Sequence, residues 1–465
     1  MNNGKNSLAA DNLMTEGSLW KSIILFSIPL MLSQVLQVLF NMADVATVGQ
    51  FASAEALGAV GSTTTLVTLF TGFLIGIGSG INVRVAQYLG ARRERDTEET
   101  VHTSFLVSLV AGVILGVLCY LLARPLLTLL GTKDELIDGA VLYFKIYSFG
   151  MPGVALFNFG NGVISAAGDT KRPLIYLTAA GLLNVILNLF FVIVLGMAED
   201  GVAWASIISQ YLSASLIIIR LARSKSSCAL SVRKLRFHRS KVAAILSLGV
   251  PAGIQNSIFS IANLFIQSGV NSFDAVYVEG NAAAANSDAL VYNVMAALYT
   301  ACSSFMGQNL GAGKRKRVMQ SYIISLVYSF GIAAVLGALL LIFRDGFLSI
   351  FTNVPEVVEA GRERLVIMST TYCISAFMDC TIAASRGIGK SLVPTIIVIM
   401  GSCVFRVAWV YTVFQHFHTL AGLYLLYPFS WAITAVAEII YFVISYKKMS
   451  SAGAVFTGQE AQKIQ

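Results

Sequence analysis

The sequence predicts an all-α polytopic membrane protein, with twelve transmembrane helices in two parallel-repeat six-helix lobes around a central cavity. Three observations lead there: a composition suited to lipid, apolar residues gathered into twelve spans, and landmarks that recur about 221 residues apart.

Of the 465 residues, 56% are hydrophobic and only 12% charged, and the mean hydropathy is +0.74. Soluble domains carry about 25% charged residues, and no soluble fold of this length hides so much apolar surface behind so few charges. A spanning helix needs roughly 20 mostly apolar residues. On that basis the spans lie at 22–48, 57–83, 101–123, 140–166, 173–197, 202–221, 242–271, 282–306, 321–343, 364–388, 393–416 and 420–446. Runs such as AAVLGALLLIF (Ala333 to Phe343) argue for helices, because barrel strands alternate over about ten residues. Residues 1–21 lack the basic-then-apolar order of a cleavable signal peptide. They read as a cytoplasmic tail, with Trp20 and Lys21 at the membrane boundary.

Charge sets the orientation. The tails and the loops after spans 2, 4, 6, 8 and 10 hold 25 of the 32 Lys and Arg residues. The other face holds six (Arg124, Lys133, Lys145, Arg344, Arg362 and Arg364), and Arg406 lies within span 11. Cytoplasmic loops carry the excess of Lys and Arg, so both termini are expected inside the cell. The richest basic segment, Arg220 to Lys241, is a cytoplasmic linker near anionic headgroups rather than a nucleic-acid site.

The halves repeat. QYLGARR at 87–93 matches QNLGAGK at 308–314, and Gly168 and Pro173 match Gly389 and Pro394. Gly201 matches Gly422 at the same shift, and Pro29 matches Pro251 one residue further on. The chain therefore divides into a 22–221 lobe, a 222–241 linker, a 242–446 lobe and a 447–465 cytoplasmic tail. Six spans is an even number, so the lobes share one orientation, the plan of parallel-repeat transporters.

Other classes find little support. Gly389-Lys390-Ser391 resembles the end of a phosphate loop, but Ala384 stands where its first glycine belongs and a helix precedes it. The six cysteines lack C-x-x-C spacing, and the four histidines form no ligand or catalytic pattern, so no enzyme, cofactor, disulfide or zinc site is expected. The driving force is then an ion gradient or the substrate's own.

Charge inside a membrane is costly, about 2.5–3.5 kcal/mol for a carboxylate at a helix centre, and marks function by default. Gln34, Gln37, Asn41 and Asp44 recur at helical spacing on one face of span 1. Pro29 removes a backbone hydrogen bond earlier in that span and is a hinge candidate, as is Pro251 in span 7. Asn184 and Asn188 share a face of span 5, and Ser206 adds a hydroxyl in span 6. One carboxylate among neutral oxygens suits Na⁺, held by Asp44, Asn184 and Asn188, and it suits a proton equally. Asp379 in span 10 and Arg406 in span 11 offset each other's cost if paired. Glu438 and Lys145 read as snorkelling groups near span ends, and Gly72, Gly76 and Gly80 as a close-packing stripe.

These stretches together resemble the multidrug and toxic compound extrusion (MATE) family, in a bacterial, Firmicutes-type branch. The resemblance covers essentially the whole chain, through MTEGSLWK at 14–21, IPLMLSQ at 28–34, LFNMADVATVGQF at 39–51, ALGAVG at 56–61 and AAGDTKRP at 166–173. It continues through LNVILN at 183–188, GVAWASIISQ at 201–210 and RGIGKSLVP at 386–394. The resemblance implies secondary active export of small amphipathic, often cationic compounds by alternating access, in antiport with H⁺ or Na⁺. It also implies a first-lobe cation site at the positions of Asp44, Asn184, Asn188 and Ser206. Gln34, Gln37, Asn41, Asp379 and Arg406 are then candidates for the substrate cavity. Some relatives carry a glutamate in span 7; this chain has no acid there, which shifts the expected ion site to the first lobe. One chain suffices for transport on this plan, and the sequence leaves the oligomeric state open. The alternative is a flippase for a lipid-linked saccharide or another lipid, which would need a strongly cationic cavity.

Overall fold

A bilayer offers no water to unpaired backbone groups, so an apolar run must close its hydrogen bonds within itself. The structure, a computed structural model, describes residues 14–451, and every span expected from the sequence is helical there. In chain order the first helices are α1 (Leu19–Phe51), α2 (Ala54–Gly90), α3 (Glu94–Leu129), α4 (Asp134–Ser148), α5 (Met151–Ala166), α6 (Lys171–Leu189) and α7 (Glu199–Ala222). Then come α8 (Arg239–Val270), α9 (Ala275–Gly311), α10 (Arg315–Ile342), α11 (Arg344–Leu348), α12 (Pro355–Gly387) and α13 (Leu392–Val398). The last are α14 (Phe405–Tyr411), α15 (Val413–Phe417), α16 (Leu420–Tyr424) and α17 (Leu426–Ser451).

Eleven helices are long and apolar enough to cross a membrane, and the bent pair α4 and α5 makes the twelfth span. That span, expected whole at 140–166, is broken by 46°. Gln210 Oε1 lies 2.0 Å from where a Gly150 Cβ would stand, so a side chain there would have to displace Gln210, and Pro152 in the first turn of the next helix brings no N–H donor. Spans 5 and 11 are irregular in another way: each passes through a π-helical stretch, Phe190–Val194 and Ile399–Val404. Such insertions widen a helix locally and are frequent at functional sites.

The chain forms two compact units, Leu32–Ser257 and, in the second, Thr15–Met31 with the described residues from Ile258 onward. Beside the expected lobes of 22–221 and 242–446, the first halves of α1 and α8 group with the opposite unit. The reasons are local. In the second unit Trp20 packs edge-on to Tyr328, Phe26 to Phe305, and Lys314 donates to the Thr15 carbonyl. In the first, α2 and α8 approach through glycine. A Cβ on Gly76 would lie 2.2 Å from Gly253 N, and one on Gly80 would lie 2.5 Å from Gly249 N. The stripe read from span 2 is thus half of an interlock, and Asn256 Nδ2 and Ser257 Oγ extend it by donating to the Gly72 and Leu69 carbonyls.

The repeat is visible in the backbone. Both α2 and α9 end with an N–H returning to a glutamine carbonyl, from Ala91 to Gln87 and from Ala312 to Gln308. Arg92 and Gly313 follow with φ of 53° and 70°, and Gly168 and Gly389 match at 91° and 88°. Arg92 is the one non-glycine residue with positive φ among the described residues, held where its counterpart is glycine.

The basic linker is pinned to α3. Lys241 pairs with Asp96 and Lys234 with Glu98, while Ser231 N–H donates to His102 Nε2 at 3.0 Å. His102 Nδ1–H in turn donates to the Glu98 carbonyl at 2.7 Å. Part of the linker's charge, read as facing lipid headgroups, is therefore spent on the acidic start of the neighbouring helix.

Gly76→Val should lower stability by about 1–3 kcal/mol, the usual cost of overpacking. Gly61→Val on the same helix, with open space at its Cβ, is the control. Thermal unfolding of both variants in detergent reads the difference.

Candidate functional site

Four of the residues singled out in the sequence fall on three helices of the first unit: Asp44 on α1, Asn184 and Asn188 on α6, and Ser206 on α7. Gly181 brings the first two helices together. Its missing side chain leaves room for the Phe40 ring, whose Cε2 lies 1.9 Å from where a Gly181 Cβ would stand. One turn beyond Phe40 comes Asp44, and two turns beyond Gly181 comes Asn188. There Asn188 Nδ2–H donates to Asp44 Oδ1 and lies 3.4 Å from Asn184 Oδ1.

Asn188 is fully buried and Asn184 nearly so. Asn188 Oδ1 receives no hydrogen bond among the described residues. A buried carbonyl oxygen without a donor normally calls for an explanation. Here it lies beside a carboxylate and a second amide oxygen, the oxygen set that hard cations take. These residues therefore fit a small cation. Ser206 is buried on α7, but no hydrogen bond joins it to the other three. Two tyrosines escaped the sequence reading. Tyr143 and Tyr147, one turn apart on α4, stack with centroids 5.9 Å apart and lie in electrostatic range of Asp44. Their i, i+4 spacing was legible, but nothing in it pointed to Asp44.

The rest of the span 1 face is open. Gln37 and Asn41 are exposed and Gln34 half-buried, without hydrogen bonds to other described residues. Amides displayed in this way suit a wet surface rather than acyl chains.

The second unit corrects the expected pairing of Asp379 with Arg406. The two lie in electrostatic range but form no ion pair within 4 Å. Arg406 instead donates from Nε to Ser430 Oγ at 3.0 Å, with its guanidinium over the Tyr427 ring at 4.8 Å and the Phe259 ring at 5.7 Å. The buried ion pair of this unit joins Asp288 on α9 to Arg364 on α12. Tyr372 donates to Asp288, and Arg364 and Tyr424 both donate to Asn281 Oδ1. Arg364 was counted as an outer-face charge because span 10 was started at that residue. The helix begins nine residues earlier, at Pro355, which carries Arg364 into the protein. Glu438 does not snorkel either; it is fully buried. Lys145 lies over the Tyr120 ring at 5.2 Å.

A family model described as MatE matches the chain twice, over residues 29–190 and 251–412, which together span more than half of it. The chain belongs to the MatE family. The two matches begin at Pro29 and Pro251, in the register of the internal repeat. The MATE chain is accordingly a multi-pass membrane protein of a multidrug efflux family, a transporter and not an enzyme. It is 27% identical over 442 residues to the probable multidrug resistance protein YoeA of Bacillus subtilis, covering 93% of this chain and 95% of that one. It is also 27% identical over 358 residues to YpnP of the same organism, another probable multidrug resistance protein, covering 77% and 80%. A solved MOP superfamily transporter from Pyrococcus furiosus has the same fold, with a TM-score of 0.89 at 22% identity over 95% of this chain and 99% of that one.

Gly181→Leu should displace Phe40 and part Asp44 from Asn188, so drug efflux at matched expression should fall to background. Gly331→Leu, which meets open space, should keep it. Asp288→Ala should destabilise by about 3–5 kcal/mol, because it leaves Arg364 buried and unpaired. In melting experiments the double variant Asp288→Ala/Arg364→Met should recover part of that loss.

Proposed function

We propose that the protein is a secondary active multidrug exporter that moves small amphipathic, often cationic compounds across a bacterial cell membrane in antiport with H⁺ or Na⁺. Both termini are cytoplasmic in this reading, in keeping with the excess of Lys and Arg in the tails and even-numbered loops. The observation that carries it is the contact of Asp44 with Asn188, whose remaining amide oxygen is buried without a donor. The names of the Bacillus relatives support the substrate class.

Exporting a monovalent cation against 100 mV costs about 2.3 kcal/mol, and each tenfold concentration step adds about 1.4 kcal/mol. One entering H⁺ or Na⁺ offsets the electrical part. The coupling ion binds at Asp44, Asn184 and Asn188, with Ser206 close in sequence register as an auxiliary hydroxyl. Gln34, Gln37 and Asn41 in the first unit, and separately Asp379 and Arg406 in the second, are the candidates for contact with substrate. Pro29 and Pro251 each lack the N–H that would lock one turn of a long helix. Ion binding one face along from Pro29 biases α1 between two shapes, which is the alternation that antiport requires.

Charge balance in the second unit favours this reading over a lipid flippase. Arg364 is ion-paired with Asp288, and Arg386 and Arg406 share Asp379 within electrostatic range, so these arginines are not gathered to hold a diphosphate.

Asp44→Asn should abolish ethidium efflux from energised cells at matched expression, and wild-type efflux in that variant would remove Asp44 from coupling. In everted vesicles, collapsing the pH gradient and then the sodium gradient identifies the ion. Efflux that survives both collapses would end the antiport reading.

A further inference from the structure

Among the acids of the second unit, Glu438 stands apart. It lies in the middle of α17, it is fully buried, and neither of its carboxylate oxygens accepts a hydrogen bond among the described residues. Asp288, by contrast, takes hydrogen bonds from Arg364 and Tyr372. A buried carboxylate without donors costs several kcal/mol even after relaxation, so it persists only with a bound proton or cation.

The surroundings decide between these. The charged groups in range of Glu438 are Arg386 and Asp379, both from α12. Asp379 has two cations in range, Arg386 and Arg406, whereas Glu438 has only Arg386, which it shares. Of the other elements packed on α17, α13 brings no titratable side chain, the π stretch Ile399–Val404 brings Cys403 alone, and α16 brings Tyr424, which donates to Asn281. Arg406 on α14 is engaged by Ser430, and Tyr322 on α10 is hydrogen-bonded to Thr381. No group of three or more His, Cys, Asp or Glu side chains that could hold a metal ion is found among the described residues, so a proton fits Glu438 better than a metal ion. Ser385 Oγ on α12 and Thr395 Oγ1 on α13, helices packed against α17, are buried hydroxyls without a hydrogen-bond partner among the described residues, and hydroxyls can relay a proton.

We propose that Glu438 is a second exchangeable-proton site, internal to the second unit and separate from Asp44. It rests on the antiport reading for its role in transport, but not for its existence. When the proton leaves, Glu438 competes with Asp379 for Arg386, so its loading state is felt at Asp379. When the proton returns, Arg386 is released to Asp379. The proton moves between carboxyl oxygen and water or hydroxyl relay, and no other bond is made or broken.

The test uses infrared difference spectra of the purified full-length protein, recorded between alkaline and acidic buffer with no drug and no gradient. The carbonyl stretch of a protonated carboxylic acid should appear on acidification. Part of it should persist in Asp44→Asn and be missing in Glu438→Gln. Identical spectra in wild type and Glu438→Gln would overturn the proposal. If Glu438→Gln does not fold, carbodiimide labelling of the wild-type protein, mapped by peptide mass spectrometry, takes its place. Labelling of Glu438 that fades as pH rises is expected, and no labelling at any pH would overturn the site. Failure of efflux coupling with the Glu438 band intact would instead count against the antiport reading alone. In proteoliposomes, Glu438→Gln should also lower the number of protons moved per substrate, which a purely structural neutral acid would leave unchanged.

Discussion

Everything in this molecule follows from the scarcity of charge in an apolar solvent. Each ionised group taken into the bilayer must find a partner, and the partner's helix is then committed to that position. Arg364 and Asp288 tie α12 to α9 in this way, and Tyr372, Asn281 and Tyr424 complete their hydrogen bonds. Arg406 achieves the same end with a serine and two aromatic rings. Asp44, Asp379 and Glu438 are the exceptions among the described residues: a single amide donor reaches Asp44, and no hydrogen bond or ion pair holds the other two. A transporter needs such exceptions, because a fully satisfied charge has no reason to exchange its ion.

The packing between helices sets where those exceptions lie. Lipid supplies no hydrophobic drive between helices, so close approach depends on small residues. Gly181 sets the meeting of α1 and α6 through Phe40, and Gly76 and Gly80 set that of α2 and α8. Long helices joined in this way behave as stiff rods. Departures from regularity are therefore few and placed: the break at Gly150, the π stretches in spans 5 and 11, and the internal prolines of α1 and α8. The first π stretch begins two residues after Asn188, and the second directly precedes Phe405 and Arg406.

The halves diverged within a kept backbone. Positions 92 and 313 both hold a left-handed turn, although one is arginine and the other glycine. Function is divided less evenly. The first unit gathers one acid with amides, and the second gathers three acids with three arginines. Duplication preserved the turn geometry that joins helices and left the polar interior of each unit free to change.

The sequence by itself determined the class, the number of spans, the repeat, and the face that carries Asp44. These depend on hydropathy and on periods of three and four residues, which are local properties of the chain. It also named Asn184 and Asn188, since amides one turn apart are legible in a single helix. Only the tertiary structure decided that Asn188 reaches Asp44, that Asp379 does not pair with Arg406, and that Arg364 and Glu438 are buried. Those outcomes depend on where a helix begins and which neighbour it meets. A nine-residue error at the start of span 10 was enough to put Arg364 on the wrong side of the boundary. The first halves of α1 and α8 joined the opposite units for the same reason. Aromatic and glycine contacts across hundreds of residues decide that grouping, and no local pattern records them.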